Sequence, residues 1–238
     1  MGKKCYWGPV VKKFIRLHIL AEGQTEERFV KDTLSEHLGK YQISTDVRSV
    51  YTSKDKNKFY RGGLVSYQKA KKDIQSWLRE DSNTDARFTT MFDLYALPND
   101  FPCYKELTSI KNPYQKVESI EYAMKEDIND LRFIPYIQLH EFETLVLANP
   151  GNLALEYFEN SKGIQSLQAV LKEHKGNPEL INENPDSAPS KRIIEVIPEY
   201  DKVNVGASIA GINGIEFLKQ SCGHFRNWIE ILEKLSFF

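Results

Sequence analysis

Hydrophobic and polar positions divide the chain into two halves of different texture. In the first, short runs of alternating or continuous apolar residues are followed by stretches with helical spacing. Phe14 to Leu20 reads as a strand, and Phe29, Val30, Leu34 and Leu38 then recur at helical spacing. Thr25 is expected to cap that helix and Gly39 to end it. "STDVRSVYT" reads as a second strand, and "SKDKNKFYRGG" as a polar loop whose charges are solvated. Leu64, Tyr67, Ile74, Trp77 and Leu78 mark a second helix, and Ala86–Tyr95 a third strand. After the proline-punctuated "ALPNDFPCY", Val117, Ile120, Met124 and Ile128 mark a third helix. Arg132–His140 is a fourth strand, which Pro135 assigns to a sheet edge or a bulge.

This β-α-β-α-β-α-β order predicts an α/β fold: a mainly parallel four-stranded sheet flanked by helices. From Asn149 onward every segment is helix-like, so residues 1–148 are expected to form the α/β core and 149–238 a helical C-terminal extension packed on it. No repeat is present.

Where the acids fall matters more than how many there are. Open parallel sheets bind ligands beyond the carboxyl ends of their strands. Strand one delivers Glu22 to that edge, with Glu26 a helical turn later. Strand three delivers Asp93, with Asp100 on the loop beyond. Strand four delivers His140, Glu141 and Glu143 in "LHEFETLV". Like charges gathered at one edge repel, and oxygen ligands suit a hard cation, Mg²⁺ or Mn²⁺. Each residue also has a plainer role open to it. Glu26 complements a helix dipole, Asp93 ends a strand, Asp100 forms a turn and His140 is a hydrogen-bonded rim residue. Lys191 and Arg192 in "PSKRI" are candidate phosphate contacts or a solvated helix start, and His224 reads as structural.

Composition narrows the function classes. A formal net charge of -1 argues against an unstructured basic nucleic-acid binder, without excluding a local basic groove. Cys5, Cys103 and Cys222 form no C-x-x-C pair, so neither a disulfide framework nor a zinc knuckle is expected. The opening "MGKKCYWG" is a poor secretion signal, and a cytoplasmic location with no membrane span is expected. Phosphate-loop, dinucleotide-binding, G-x-S-x-G and H-E-x-x-H motifs are all missing from the sequence.

"AEGQTEE", "FDLYALPNDFP", "LHEFETLVLANP", "NPDSAPSKRI" and "CGHFRNWIEIL", in that order, resemble a Toprim-like family of prokaryotes related to the Toprim domains of the overcoming-lysogenization-defect (OLD) nucleases. The resemblance implies a metal-dependent nuclease acting on DNA or RNA, partnered by an ABC-like or AAA-type ATPase in phage defence. It makes Glu22 the glutamate after strand one, Glu26 the second acid of an E-x-x-x-E pair and Asp93 the first acid of an Asp-x-Asp motif. The second acid of that motif is replaced by Tyr95, leaving Asp100, Glu141 or Glu143 to supply the missing ligand. His140 and Glu26 are the candidate general bases. Two alternatives stand beside this: a degenerate, non-catalytic Toprim module that binds nucleic acid or an ATPase, and a metal-dependent phosphatase or transferase acting on a small phosphorylated molecule.

Overall fold

The computed structural model describes residues 13–55, 58–61, 63–95, 97–181 and 187–237, with the backbone alone described over 51–61. Cys5 and part of the Pro/Asn loop before Ser187 lie outside these residues. The main sheet is parallel and holds β1 (Ile15–Ala21), β2 (Ile43–Ser49), β5 (Ala86–Asp93), β6 (Phe133–Ile134) and β7 (Ile137–Gln138). Its order is β2-β1-β5-β6, and β7 also pairs with β5. This is the expected α/β architecture, with a helical C-terminus.

Period-two burial explains why both faces of the sheet are covered. Ile15, Leu17, Ile19 and Met91 enter one core, and Leu20, Phe88 and Phe92 the other. The second core is closed by α3 (Tyr67–Glu80) and α4 (Pro113–Ile128). The first is closed by α1 (Gln24–Phe29), which continues through a π-helical turn (Val30–Leu34) into α2 (Ser35–Gly39), and by the C-terminal helices. Those include α5 (Glu143–Val146), α6 (Ser161–Glu173), α7 (Pro189–Val196), α8 (Ala207–Asn213), α9 (Ile215–Ser221) and α10 (Gly223–Glu233). Leu153, Ile193, Leu218 and Phe225 share one continuous core with β1, so the extension is built onto the sheet face. Burying each such side chain stabilises by about 1.5–3 kcal/mol.

Three expectations about local structure need correction. Thr25 does not cap α1; the cap is Gly23, in extended backbone, and Thr25 already lies buried in the first turn. Glu26 makes this possible by reaching back to accept the Gly23 N–H at 2.8 Å. Part of the polar loop after β2 is an antiparallel hairpin, β3 (Tyr51–Asp55) with β4 (Lys58–Arg61). Its cross-strand pairing is hidden in the sequence by a charged composition that reads as a solvated loop. The fourth strand lies at the sheet edge, as Pro135 predicts, but it is not continuous: it is split in two around that residue, where Thr90 Oγ1 bridges the Tyr136 N–H (2.9 Å) and carbonyl (2.8 Å) across the break. No described helix is long and apolar enough to cross a membrane.

Candidate functional site

Three segments meet where the strands end. β1 runs out at Ala21, and Glu22 follows before the chain turns at Gly23. Its carboxylate accepts the Asp93 N–H at 2.9 Å and the Leu64 N–H at 3.4 Å, tying the end of β1 to β5 and to the residue after Gly63. Asp93 is the last residue of β5. Glu141 and Glu143 arrive after β7 through His140, whose φ of 64° is left-handed. For a non-glycine residue that conformation costs about 1–3 kcal/mol. It is held by the Tyr95 N–H on the His140 carbonyl (2.8 Å) and by Nε2 against the Glu179 carbonyl (2.9 Å).

A cleft of about 290 Å³ opens over this junction, walled by Glu22, Gly23, Glu26, Gly63, Asp93 and Lys202. Glu143, fully buried, stands against Lys202, whose Nζ lies 3.0 Å from its Oε2. Glu141 accepts the Ser190 N–H at 2.8 Å, bringing the start of α7 to the cluster. Five carboxylates therefore share one ammonium, which acts electrostatically on Glu22, Glu26, Asp93, Glu141 and Glu143. Burial, then the charges of Glu22 and Glu26, push the Asp93 carboxyl well above its ordinary value. Burial and Glu22 push Glu26 up to about 7, and burial raises Glu22 and Glu143. The acids raise the Lys202 ammonium in turn, overcoming the burial that would lower it.

The donor chemistry fits a hard divalent cation. Asp93 Oδ1 and Glu143 Oε1 are buried and have no hydrogen-bond partner among the described residues. Buried polar atoms are seldom left so. The surrounding donors are carboxylate oxygens, as Mg²⁺ and Mn²⁺ require. The cluster stands open: among the described residues, the trio whose donor atoms close to within 4.8 Å is elsewhere, at His37, Glu216 and Glu233. Lys219 already neutralises that trio, 2.8 Å from Glu233 Oε1 and 3.7 Å from Glu216 Oε1.

The residues singled out from the sequence part company here. Asp100 does not join the cluster. Its carboxylate anchors the start of α3, accepting from Ser66 Oγ (2.7 Å) and from the Tyr67 and Gln68 N–H groups (2.9 and 3.2 Å). These bonds outweigh the effect of burial and hold its carboxyl below the usual value. His140 is buried beside the cleft without lining it, and burial lowers its pKa despite the Glu179 contact. Lys191 is exposed at the start of α7, while Arg192 turns its Nε onto the Ser187 carbonyl at 2.9 Å. His224 hydrogen-bonds Glu121 at 2.9 Å and lies stacked on Tyr136. Lys202 went unnoticed in the sequence; the one available signal was the surplus of acid that some cation must balance.

A family model described as a domain of unknown function, DUF4276, matches residues 21–233. The chain belongs to the DUF4276 family. No curated protein and no solved structure matches it. The DUF4276 span opens at Ala21, one residue before Glu22, and takes in all five carboxylates and Lys202. The family assignment thus covers the whole site without specifying a reaction.

Proposed function

We propose that this DUF4276 chain is a Mg²⁺- or Mn²⁺-dependent phosphodiester hydrolase of Toprim type that cuts DNA or RNA. One observation carries the reading: Glu22, Glu26 and Asp93 line one cleft, Glu143 from a third segment reaches it through Lys202, and buried oxygens of Asp93 and Glu143 are left without hydrogen-bond partners among the described residues. Glu22, Asp93 and Glu141 or Glu143 would hold the cation. When bound, it supplies a Lewis acid for the phosphate and an activated water. Glu22 keeps its orientation through the Asp93 and Leu64 N–H groups, each oxygen retaining a second lone pair for a ligand. Glu26 lines the cleft and His140 does not, which makes Glu26 the stronger candidate base. An ABC-like or AAA-type ATPase is the proposed partner, in a phage-defence setting.

The test is titration with Mn²⁺ by calorimetry, alongside cleavage of DNA and RNA with and without the partner ATPase and its nucleotide. Wild type is expected to bind Mn²⁺ and cut, and Glu22→Gln and Asp93→Asn to lose both. A wild-type protein that binds no Mn²⁺ ends the hydrolase reading. That outcome would favour a non-catalytic module, the second reading, which draws support from the ammonium of Lys202 already standing among the acids.

A further inference from the structure

Lys202 comes from the C-terminal helical region, far along the chain from the strands whose acids it faces. It sits in a π-helical turn, Lys202–Gly206, that is fixed at several points. Asp201 caps the turn by accepting the Asn204 N–H at 2.9 Å and its amide Nδ2 at 2.6 Å, and the Asp201 N–H donates to Tyr157 Oη at 2.9 Å. Arg28 on α1 contacts Asn204 Oδ1. Gly206 closes the turn where no side chain fits, since a Cβ there would stand 2.5 Å from Tyr200 Oη. The backbone that carries Lys202 is therefore held in place.

The Lys202 side chain is 42% exposed along the open cleft, yet its ammonium meets a Glu143 side chain that is 0% exposed, 3.0 Å away. No other cation acts on both Asp93 and Glu143 among the interactions that the described residues make there. We infer that Lys202 is the resident counter-ion of the carboxylate cluster, and that a divalent cation binds by displacing it. This rests on the metal-dependent reading above. Two cations cannot both take the short positions beside Glu143 and Asp93 without repelling each other, and the bound ion carries twice the charge. The exposed stem gives the ammonium a path into the cleft and solvent while the turn stays where it is. The C-terminal region would then set the threshold at which the sheet edge loads its metal.

Thermal unfolding and Mn²⁺ calorimetry of the full chain test this, with wild type, Lys202→Met and Lys202→Gln. Without metal, both variants should melt below wild type, because Glu143 loses its ion pair with Lys202. With Mn²⁺ they should rise more than wild type does and bind the ion about tenfold more tightly or better, the effect of removing a positive charge beside a divalent ion. A Lys202→Met chain that folds only when Mn²⁺ is added supports the displacement equally well. If wild type binds Mn²⁺ and both variants bind it equally or more weakly, Lys202 is no competitor and the inference falls, while the hydrolase reading stands. If none of the three binds Mn²⁺, both fall.

Discussion

Glu26→Gln probes the cost of gathering these acids. Glu26 is 4% exposed, and its Oε2 accepts the Gly23 N–H at 2.8 Å, a bond that the oxygen of glutamine can keep. Burial, and next the charge of Glu22, push its carboxyl from 4.5 up to about 7. A carboxyl with a raised pKa holds its proton more tightly in the folded chain than in the unfolded one. Metal-free stability therefore falls as pH climbs from the ordinary glutamate value through about 7. At about 1.4 kcal/mol per pKa unit, a rise of about 2.5 units amounts to about 3 kcal/mol, fully expressed only above the folded value. Glutamine removes the charge but brings an amide NH₂ that needs a partner, at a cost of about 1 kcal/mol. Urea unfolding in the presence of EDTA should then find Glu26→Gln about 2 kcal/mol more stable than wild type at pH 8. At pH 5, where wild-type Glu26 is mostly protonated, the two should nearly coincide. With saturating Mn²⁺ at pH 8 the variant's advantage should shrink, because the bound ion compensates the same charge. A variant that is no more stable than wild type at pH 8 would refute the reasoning, since it would mean that Lys202 and the backbone donors already compensate the cluster.

Two further substitutions separate structural acids from the candidate site. Asp100→Ala removes the acceptor for the first N–H groups of α3 and should cost about 1–2 kcal/mol in urea unfolding, with Mn²⁺ affinity in calorimetry unchanged. Asp81→Ala leaves Arg16 and His18 without their shared partner and should cost about 1–3 kcal/mol near neutral pH. Burial would raise the Asp81 carboxyl, but hydrogen bonds from His18 and Asn83 and the charge of Arg16 hold it well below its ordinary value. Its contribution is therefore present above the usual aspartate range and lost in acid, so denaturation curves of wild type and variant should converge as pH falls below about 3.

What could be read from the sequence and what could not divide along the range of the interactions involved. The strands of the main sheet and the helices between them follow from local periodicity, and Glu22 and Asp93 were found because each sits where a strand's burial pattern stops. Asp100, on the loop beyond strand three, reads either as a turn residue or as a metal ligand. Its role is decided by Ser66, Tyr67 and Gln68, which are brought to it only by tertiary packing. The hairpin of β3 and β4 was missed for a related reason, since its ladder is satisfied across strands while its composition is that of a solvated loop. Lys202 was the most hidden, in "EYDKVNVG", which has no amphipathic period, and whose acids Glu199 and Asp201 make the lysine read as part of an ordinary solvated charge cluster. Yet charge balance pointed to something like it. A fully buried Glu143 near a buried Asp93 must either keep its proton or face a nearby cation. An acid cluster legible at strand ends is thus a reason to search the rest of a chain for a lysine or arginine that the fold carries back to it. Where the metal is the only cation in the account, the protein's own counter-charge has been overlooked.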